Sequence, residues 1–249
     1  MPRFRNSSLG WGCEMLLQVE ELDFSIETTQ ILRSISFSVA PEEIVCLVGR
    51  NGAGKSSILK TIIGLYTPRS GKILLHGQDI TSLSPRERVL RGIGYSPEDS
   101  RVFADLTVAE NLVLSTWITG HTSRAERISF ETIFAIFPEI RQFLHRKGLH
   151  LSGGQKKMVS VARALALSPS ILLLDESFEG LAPIVVKRFR EALKRIHEMG
   201  ITILLAESNI RIASQVADRS YLVERGEIIF EGHPQEILQN EKLLRIIGR

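Results

Sequence analysis

Nine consecutive residues, Gly49 to Ser57 (GRNGAGKSS), combine the residue types and the spacing needed to hold a polyphosphate. Gly49, Gly54, Lys55 and Ser56 fill the invariant places of the G-x-x-x-x-G-K-[ST] phosphate-binding loop, which makes Gly49, Asn51, Gly52, Ala53, Gly54, Lys55, Ser56 and Ser57 the nucleotide-binding candidates. Gly52 and Gly54 carry no side chain, so backbone N–H groups converge on anionic oxygens at a helix N-terminus, where the helix dipole favours negative charge. Lys55 is placed to reach β- and γ-phosphates and the Ser56 hydroxyl to ligate Mg²⁺ held between them. The expected ligand is Mg-ATP or Mg-GTP.

Such a loop works only between a buried strand and a helix. Ile44 to Val48 (IVCLV) is an unbroken apolar run, and Ile58, Leu59, Ile62 and Ile63 recur at helical spacing within Ser56 to Leu65. Upstream, Leu17 to Phe24 alternates apolar and polar residues with one slip, and Ile31 to Val39 alternates again, so antiparallel strands are predicted. A short strand, Lys72 to Leu75, and a turn at Gly77 and Gln78 follow. Ser84-Pro85-Arg86-Glu87 opens a helix, with a capping Ser, a first-position Pro and an acid three residues after the cap.

Ile93 to Ser96 reads as a strand running into Pro97-Glu98-Asp99, and from Leu106 to Leu149 the pattern is helical, chiefly over Thr107 to Ile118 and Phe130 to Leu144. The aromatics of this stretch, Trp117, Phe130, Phe134 and Phe137, are expected mainly as its core; a docking role for exposed members is the other reading. Leu151 to Gln155 (LSGGQ) then precedes a helix carrying Met158, Val161, Ala162 and Leu165, so its Ser-Gly-Gly turn is a second anion-binding nest. Ile171 to Leu174 is a strand ending in Asp175-Glu176, and Ile201 to Ala206 is one ending in Glu207-Ser208-Asn209, with an amphipathic helix, Val185 to Met199, between them. These are β-α-β units with acids at strand ends, where parallel sheets bind ligands. Tyr221 to Ile229, turned at Arg225-Gly226, reads as a hairpin, and Pro234 to Ile247 as closing helices.

Composition narrows the class without naming a partner. The 249 residues are 43% hydrophobic and 24% charged, ordinary for an α/β protein able to bury a substantial core. The net charge of +3 comes from 31 basic and 28 acidic residues that are interspersed, which disfavours a nucleic-acid stripe. Two cysteines, Cys13 and Cys46, far apart in sequence, fit a reduced cytosolic setting. No run approaches the length of a membrane span. Met1 to Glu14 lacks periodicity, whereas a strand pattern starts near Met15, so residues 1–14 are expected to be a disordered tail, with a docking arm anchored by Trp11 as the other option.

GRNGAGKSS, LSGGQ and ILLLDE, in this order, resemble the ATP-binding subunits of ABC transporters, and the likeness runs from about Met15 to the C-terminus. GIGYSPED, FEGLAP and AESN narrow it to cassettes of branched-chain amino acid, urea and amide uptake systems. The resemblance implies an α/β P-loop NTPase core with a mainly parallel sheet, an N-terminal antiparallel β subdomain and an inserted α-helical subdomain. It divides one ABC ATPase domain, residues 15–249, into a nucleotide-binding core with the β subdomain (15–97 and 150–249) and a helical subdomain (98–149). It also implies ATP as substrate, Mg²⁺ as cofactor, a second ABC subunit as homo- or heterodimer partner, integral membrane permease subunits, and a place on the cytosolic face of the cell membrane.

Residue by residue, the resemblance makes Asp175 a Mg²⁺ ligand beside Ser56, and Glu176 the catalytic base that orients or deprotonates the attacking water. Ser152, Gly153, Gly154 and Gln155 would contact the nucleotide bound to the partner. Departures from the family pattern fall at four places. Ile26 stands where an aromatic residue usually stacks on adenine, with Phe24 two residues out of register. Glu98 replaces a loop Gln and can still ligate Mg²⁺ or water. Ser208 occupies the position of a switch His and is too short to reach the γ-phosphate. Ser177 and Phe178 replace Pro and a small hydroxyl residue ahead of the loop through Leu181 and Ala182. The main alternative is accordingly a catalytically weak regulatory subunit of a heterodimeric ABC ATPase; a soluble ABC ATPase acting on ribosomes or DNA is disfavoured by the absence of tandem cassettes.

Overall fold

The computed structural model describes residues 15–118 and 128–248, so the expected tail, with Trp11 and Cys13, lies outside the described residues. In chain order the first elements are β1 (Leu17–Ile26), β2 (Thr29–Val39), β3 (Ile44–Val48), α1 (Lys55–Ile62), β4 (Ser70–Leu75), β5 (Gln78–Asp79), α2 (Pro85–Leu90) and β6 (Ile93–Ser96). The helical stretch holds α3 (Val108–Ile118), α4 (Phe130–Ile136) and α5 (Glu139–Gln142). The chain closes with α6 (Gly153–Leu165), β7 (Ile171–Asp175), α7 (Pro183–Glu198), β8 (Thr202–Glu207), α8 (Ile210–Val216), β9 (Arg219–Glu224), β10 (Glu227–Gly232), α9 (Pro234–Gln239) and α10 (Glu241–Ile247).

Two sheets result, a four-stranded antiparallel one ordered β2-β1-β4-β5 and a six-stranded one ordered β10-β9-β3-β8-β7-β6. In the second, every neighbouring pair is parallel except β9 with β10. Its strands are apolar runs rather than alternating ones because both faces are covered. Cys46, Val48, Leu172, Leu174, Ile203 and Leu205 face the core shared with α6 and α7. Val45, Leu47, Leu173, Leu204 and Ala206 face the antiparallel sheet and α1. The slip in the Leu17 to Phe24 alternation is a bulge: the β1–β2 register shifts between Val19 and Leu22, and Glu21 takes φ 46°.

Two expected helices are shorter than their apolar patterns. α1 ends at Ile62 rather than Leu65, because Gly64 turns left-handed at φ 86° and the Leu65 N–H folds back to the Lys60 carbonyl at 2.8 Å; the buried Arg88 then donates to the Thr61 and Ile62 carbonyls at 2.7 and 2.8 Å. Arg88 also donates to the Leu83 and Thr81 carbonyls, tying α1 to α2 and the preceding loop. The Phe130 to Leu144 stretch breaks between Ile136 and Glu139, where Phe137 leaves helical geometry and Pro138 brings no N–H to continue the ladder. Phe137 is fully buried and Phe130 and Phe134 pack against the core, but Trp117 is 71% exposed, which corrects its reading as a core residue.

Candidate nucleotide-binding site

The phosphate-binding loop is aimed by β3, whose last residue, Val48, pairs with Glu207 of β8 on one side and Leu222 of β9 on the other. Gly49 must be glycine, since a Cβ there would lie 2.3 Å from the Val223 carbonyl oxygen. Gly54 takes φ 113° as it caps α1, a left-handed turn that leaves the first amides of the helix facing the loop. The β9–β10 turn braces the loop through Gly226 N–H to the Ala53 carbonyl, 2.8 Å. Asn51 and Gly52 are exposed at its rim, Ser57 is half-buried, and Ala53 and Lys55 are buried. Lys55 Nζ donates to the Gly49 and Arg50 carbonyls at 2.8 and 3.1 Å and lies 3.0 Å from Glu176 Oε1. The loop thus gathers backbone donors and one desolvated cation around a single point.

Parallel pairing brings the two distant acids to this point. Ser56 Oγ donates to Asp175 Oδ1 at 2.8 Å, and Tyr95 Oη donates to Asp175 Oδ2 at 3.2 Å from the end of β6. Burial pushes the Asp175 carboxyl up, while the Ser56 and Tyr95 hydroxyls oppose that shift. Burial first, and then the charge of Asp175, drives the Tyr95 phenol well above its usual range, so it stays a donor. Ser56 Oγ and Asp175 Oδ1 are two hard oxygens held side by side at a loop built for phosphates, the donor set Mg²⁺ selects. They fit that ion. Glu98 is exposed on the turn after β6 and shares a cleft of ≈ 480 Å³ with Asp175, Tyr95, Lys60 and Arg163.

Glu176 is held from several sides. Its backbone sits at φ 44°, a left-handed conformation that costs a non-glycine residue about 1–2 kcal/mol. Its N–H donates to the Ala206 carbonyl at 2.9 Å, and its carbonyl accepts from Lys157 Nζ and from the Glu179 N–H. Its Oε2 accepts from both the Ser208 N–H and the Ser208 hydroxyl, each at 3.1 Å. Ser208 thus grips the Glu176 carboxylate with both its backbone and its hydroxyl. Glu207, 1% exposed, accepts the Phe178 N–H at 3.2 Å. Burial, then the neighbouring Glu176, pushes the Glu207 carboxyl up to about 8, against the Phe178 N–H and the charges of Lys157 and Lys55.

Tyr95, Lys157 and Glu207 did not stand out as site residues in the sequence. Glu207 is visible as a strand-end acid, whereas Tyr95 and Lys157 join the site only because β6 lies beside β7 and α6 packs against both. Ile26 is 47% exposed at the end of β1, opposite Thr29 in the antiparallel register. Phe24 is no substitute platform: it is buried and stacked on Tyr66, with ring centroids 4.6 Å apart and planes 9° from parallel. Phe178 is likewise a core residue, 3% exposed and edge-on to Phe189 at 6.0 Å, so it anchors the chain ahead of Leu181 and Ala182.

The LSGGQ turn caps α6 internally. Ser152 Oγ accepts the Gln155 N–H at 3.3 Å, and Gln155 Oε1 accepts the Ser152 N–H at 3.0 Å, a reciprocal box that uses the Gln155 side chain within its own helix. Ser152 and Gly153 are exposed, and a Cβ built on Gly153 would meet nothing within 4 Å, so the nest opens outward from the chain rather than toward its own loop.

A sequence profile described as ABC transporter matches residues 32–179, more than half of the chain. The chain belongs to the ABC transporter family. Among curated relatives of this cassette, a probable branched-chain amino acid transport ATP-binding protein, LivF of Archaeoglobus fulgidus, is 36% identical over 93% of this chain and 98% of the relative. The lipopolysaccharide export system ATP-binding protein LptB of Haemophilus influenzae is 34% identical over 93% of this chain and 96% of the relative. The crystal structure of the ADP conformation of MJ1267, an ATP-binding cassette of an ABC transporter, superposes with a TM-score of 0.82 at 26% identity, covering 94% of this chain and 99% of that one. The cassette is therefore an ATP-binding subunit of a transporter and an ATPase by family. No helix among its described residues is long and apolar enough to cross a membrane.

Proposed function

We propose that this cassette hydrolyses ATP to drive an importer of branched-chain amino acids or related small solutes. The observation that carries the hydrolytic part is the convergence of Lys55, Ser56, Asp175, Glu176 and Ser208 at the carboxyl ends of β3, β7 and β8. The backbone of Gly49, Asn51, Gly52, Ala53 and Gly54 and the Lys55 ammonium hold the phosphates, with Ser57 beside them on α1 and Ile26 contributing an aliphatic contact to adenine. Ser56 and Asp175 hold Mg²⁺, with Glu98 at the edge of the cleft; the ion supplies neutralisation of charge on the β- and γ-phosphate oxygens. Glu176, fixed by Ser208, orients the attacking water in line and accepts its proton. Ser152, Gly153, Gly154 and Gln155 meet the nucleotide of a second ABC subunit.

The importer reading is supported by the likeness to LivF across nearly its whole length. A second reading, export of a lipopolysaccharide, is supported by the LptB relative at nearly equal identity. In either case the cassette would work on the cytosolic face of a membrane beside integral permease subunits. The firm hold on Glu176 favours a hydrolytic site over the regulatory alternative.

The test is Mg-ATP hydrolysis by the full chain against Glu176→Gln, with size-exclusion chromatography of both in ATP. Loss of hydrolysis in the variant together with an ATP-dependent dimer is the expected result; hydrolysis undiminished by Glu176→Gln refutes the assignment. Reconstitution with the permease subunits separates the two transport readings, because only an importer's hydrolysis rises with a solute-loaded binding protein.

A further inference from the structure

Lys157 is the one contact to Glu176 supplied by α6, and it belongs to the helix that LSGGQ opens. Its ammonium donates to the Glu176 carbonyl, while the remaining contacts to Glu176 come from α1, the chain just after it, and the end of β8. Lys157 lies five residues after Ser152, about 7.5 Å along the helix axis at about 1.5 Å per residue. Ser152 and Lys157 belong to one unbroken helical segment, its first turn closed by Lys156 N–H to the Ser152 carbonyl at 2.9 Å, so displacement of the capping turn reaches Lys157 directly, while Met158, Val161 and Leu165 pack the turns beyond it into the core. At the other end of the contact, Glu176 sits in a left-handed conformation that a non-glycine residue keeps only when its surroundings hold it there.

We propose that Lys157 is a positioning residue through which the LSGGQ helix sets the catalytic carboxylate of its own chain, so that a nucleotide gripped by Ser152 to Gln155 from the neighbouring subunit adjusts Glu176 on this one. The proposal rests on reading Glu176 as the base and LSGGQ as the contact to the second nucleotide. It gives the two nucleotide sites a short route of communication that ends in one hydrogen bond: partner nucleotide, α6, Lys157, Glu176 carbonyl. The Glu176 side chain then moves with its own backbone, while Lys55 and Ser208 guide its oxygens.

The experiment compares Lys157→Met, Lys157→Arg, Ser152→Ala and the Ser152→Ala/Lys157→Met double variant in the full chain, by steady-state Mg-ATP hydrolysis and by hydrogen exchange of the nucleotide-free protein. Lys157→Met keeps the aliphatic stem and removes the donor, so kcat falls roughly tenfold or more while KM for ATP stays within about twofold. Lys157→Arg restores kcat to within about threefold, and amides of Ser177 and Phe178 exchange faster in Lys157→Met but not in Lys157→Arg. The double variant is no slower than the slower single, because both changes cut the same route. Unchanged exchange in Lys157→Met, failure of Arg to restore, or additive losses in the double variant overturn the proposal. If the chain alone does not turn over, exchange decides the contact and hydrolysis is measured with the partner subunit. Persistence of hydrolysis in Glu176→Gln refutes the functional assignment instead and leaves the exchange result standing.

Discussion

Replacing the buried Glu207 with glutamine should make the protein more stable at pH 8 and remove part of its pH dependence. Glu207 is 1% exposed, and its carboxyl is raised from an ordinary 4.5 to about 8 by burial and by Glu176. Below 4.5 folded and unfolded chains both carry the proton. Between that value and about 8 the unfolded chain releases it while the folded chain keeps it, so rising pH favours unfolding; above about 8 both are ionised and the effect levels off. Each pH unit inside the window costs about 1.4 kcal/mol, so the full span is worth at most ~5 kcal/mol, less whatever local relaxation recovers. Glutamine keeps an oxygen to accept the Phe178 N–H and never ionises. Urea unfolding of both proteins from pH 5 to pH 9, followed by circular dichroism, reads the difference directly. Stability of the wild type minus that of Glu207→Gln should fall as pH rises through the window. A difference that is flat, or that rises with pH, would show that Glu207 is ionised in the folded protein and that the burial argument is wrong.

Two further substitutions probe the frame and the base contact. Arg88→Met leaves the Thr61, Ile62, Leu83 and Thr81 carbonyls without their buried donor, and a loss of ~3 kcal/mol or more in urea unfolding is expected; a loss under about 1 kcal/mol would mean water replaces the guanidinium. Ile26→Tyr adds a ring at an exposed place on β1, where stacking on adenine worth ~1–3 kcal/mol would tighten ATP binding by roughly tenfold in a calorimetric titration, and unchanged affinity would remove this position from the site.

Much of the site was legible because its residues are local in sequence. Gly49 to Ser57 specifies a strand, a turn and a helix start through residue types that few other conformations accept, and Ser84 announces its helix by a capping box that forms as the spacing predicts, whereas the box between Ser152 and Gln155 emerges only in the structure. The apolar runs at Ile44, Ile171 and Ile201 likewise declared a sheet covered on both faces. Local pattern was less reliable where a distant group intervened. Arg88 takes up the Thr61 and Ile62 carbonyls at the end of α1, and Phe24, an apparent aromatic candidate, is already stacked on Tyr66.

What the sequence determined by itself was the class of chemistry: a phosphate cradle, a cation, and carboxylates at strand ends, each set by short-range spacing. What only the tertiary structure decided was who holds whom. Strand order puts Tyr95 of β6 against Asp175 and Ser208, the residue after β8, against Glu176, and the packing of α6 delivers Lys157 to the Glu176 carbonyl. Those contacts span separations of 19 to 80 residues. The residue types at their ends are compatible with many other partners, and only the packing of both faces of one sheet selects among them.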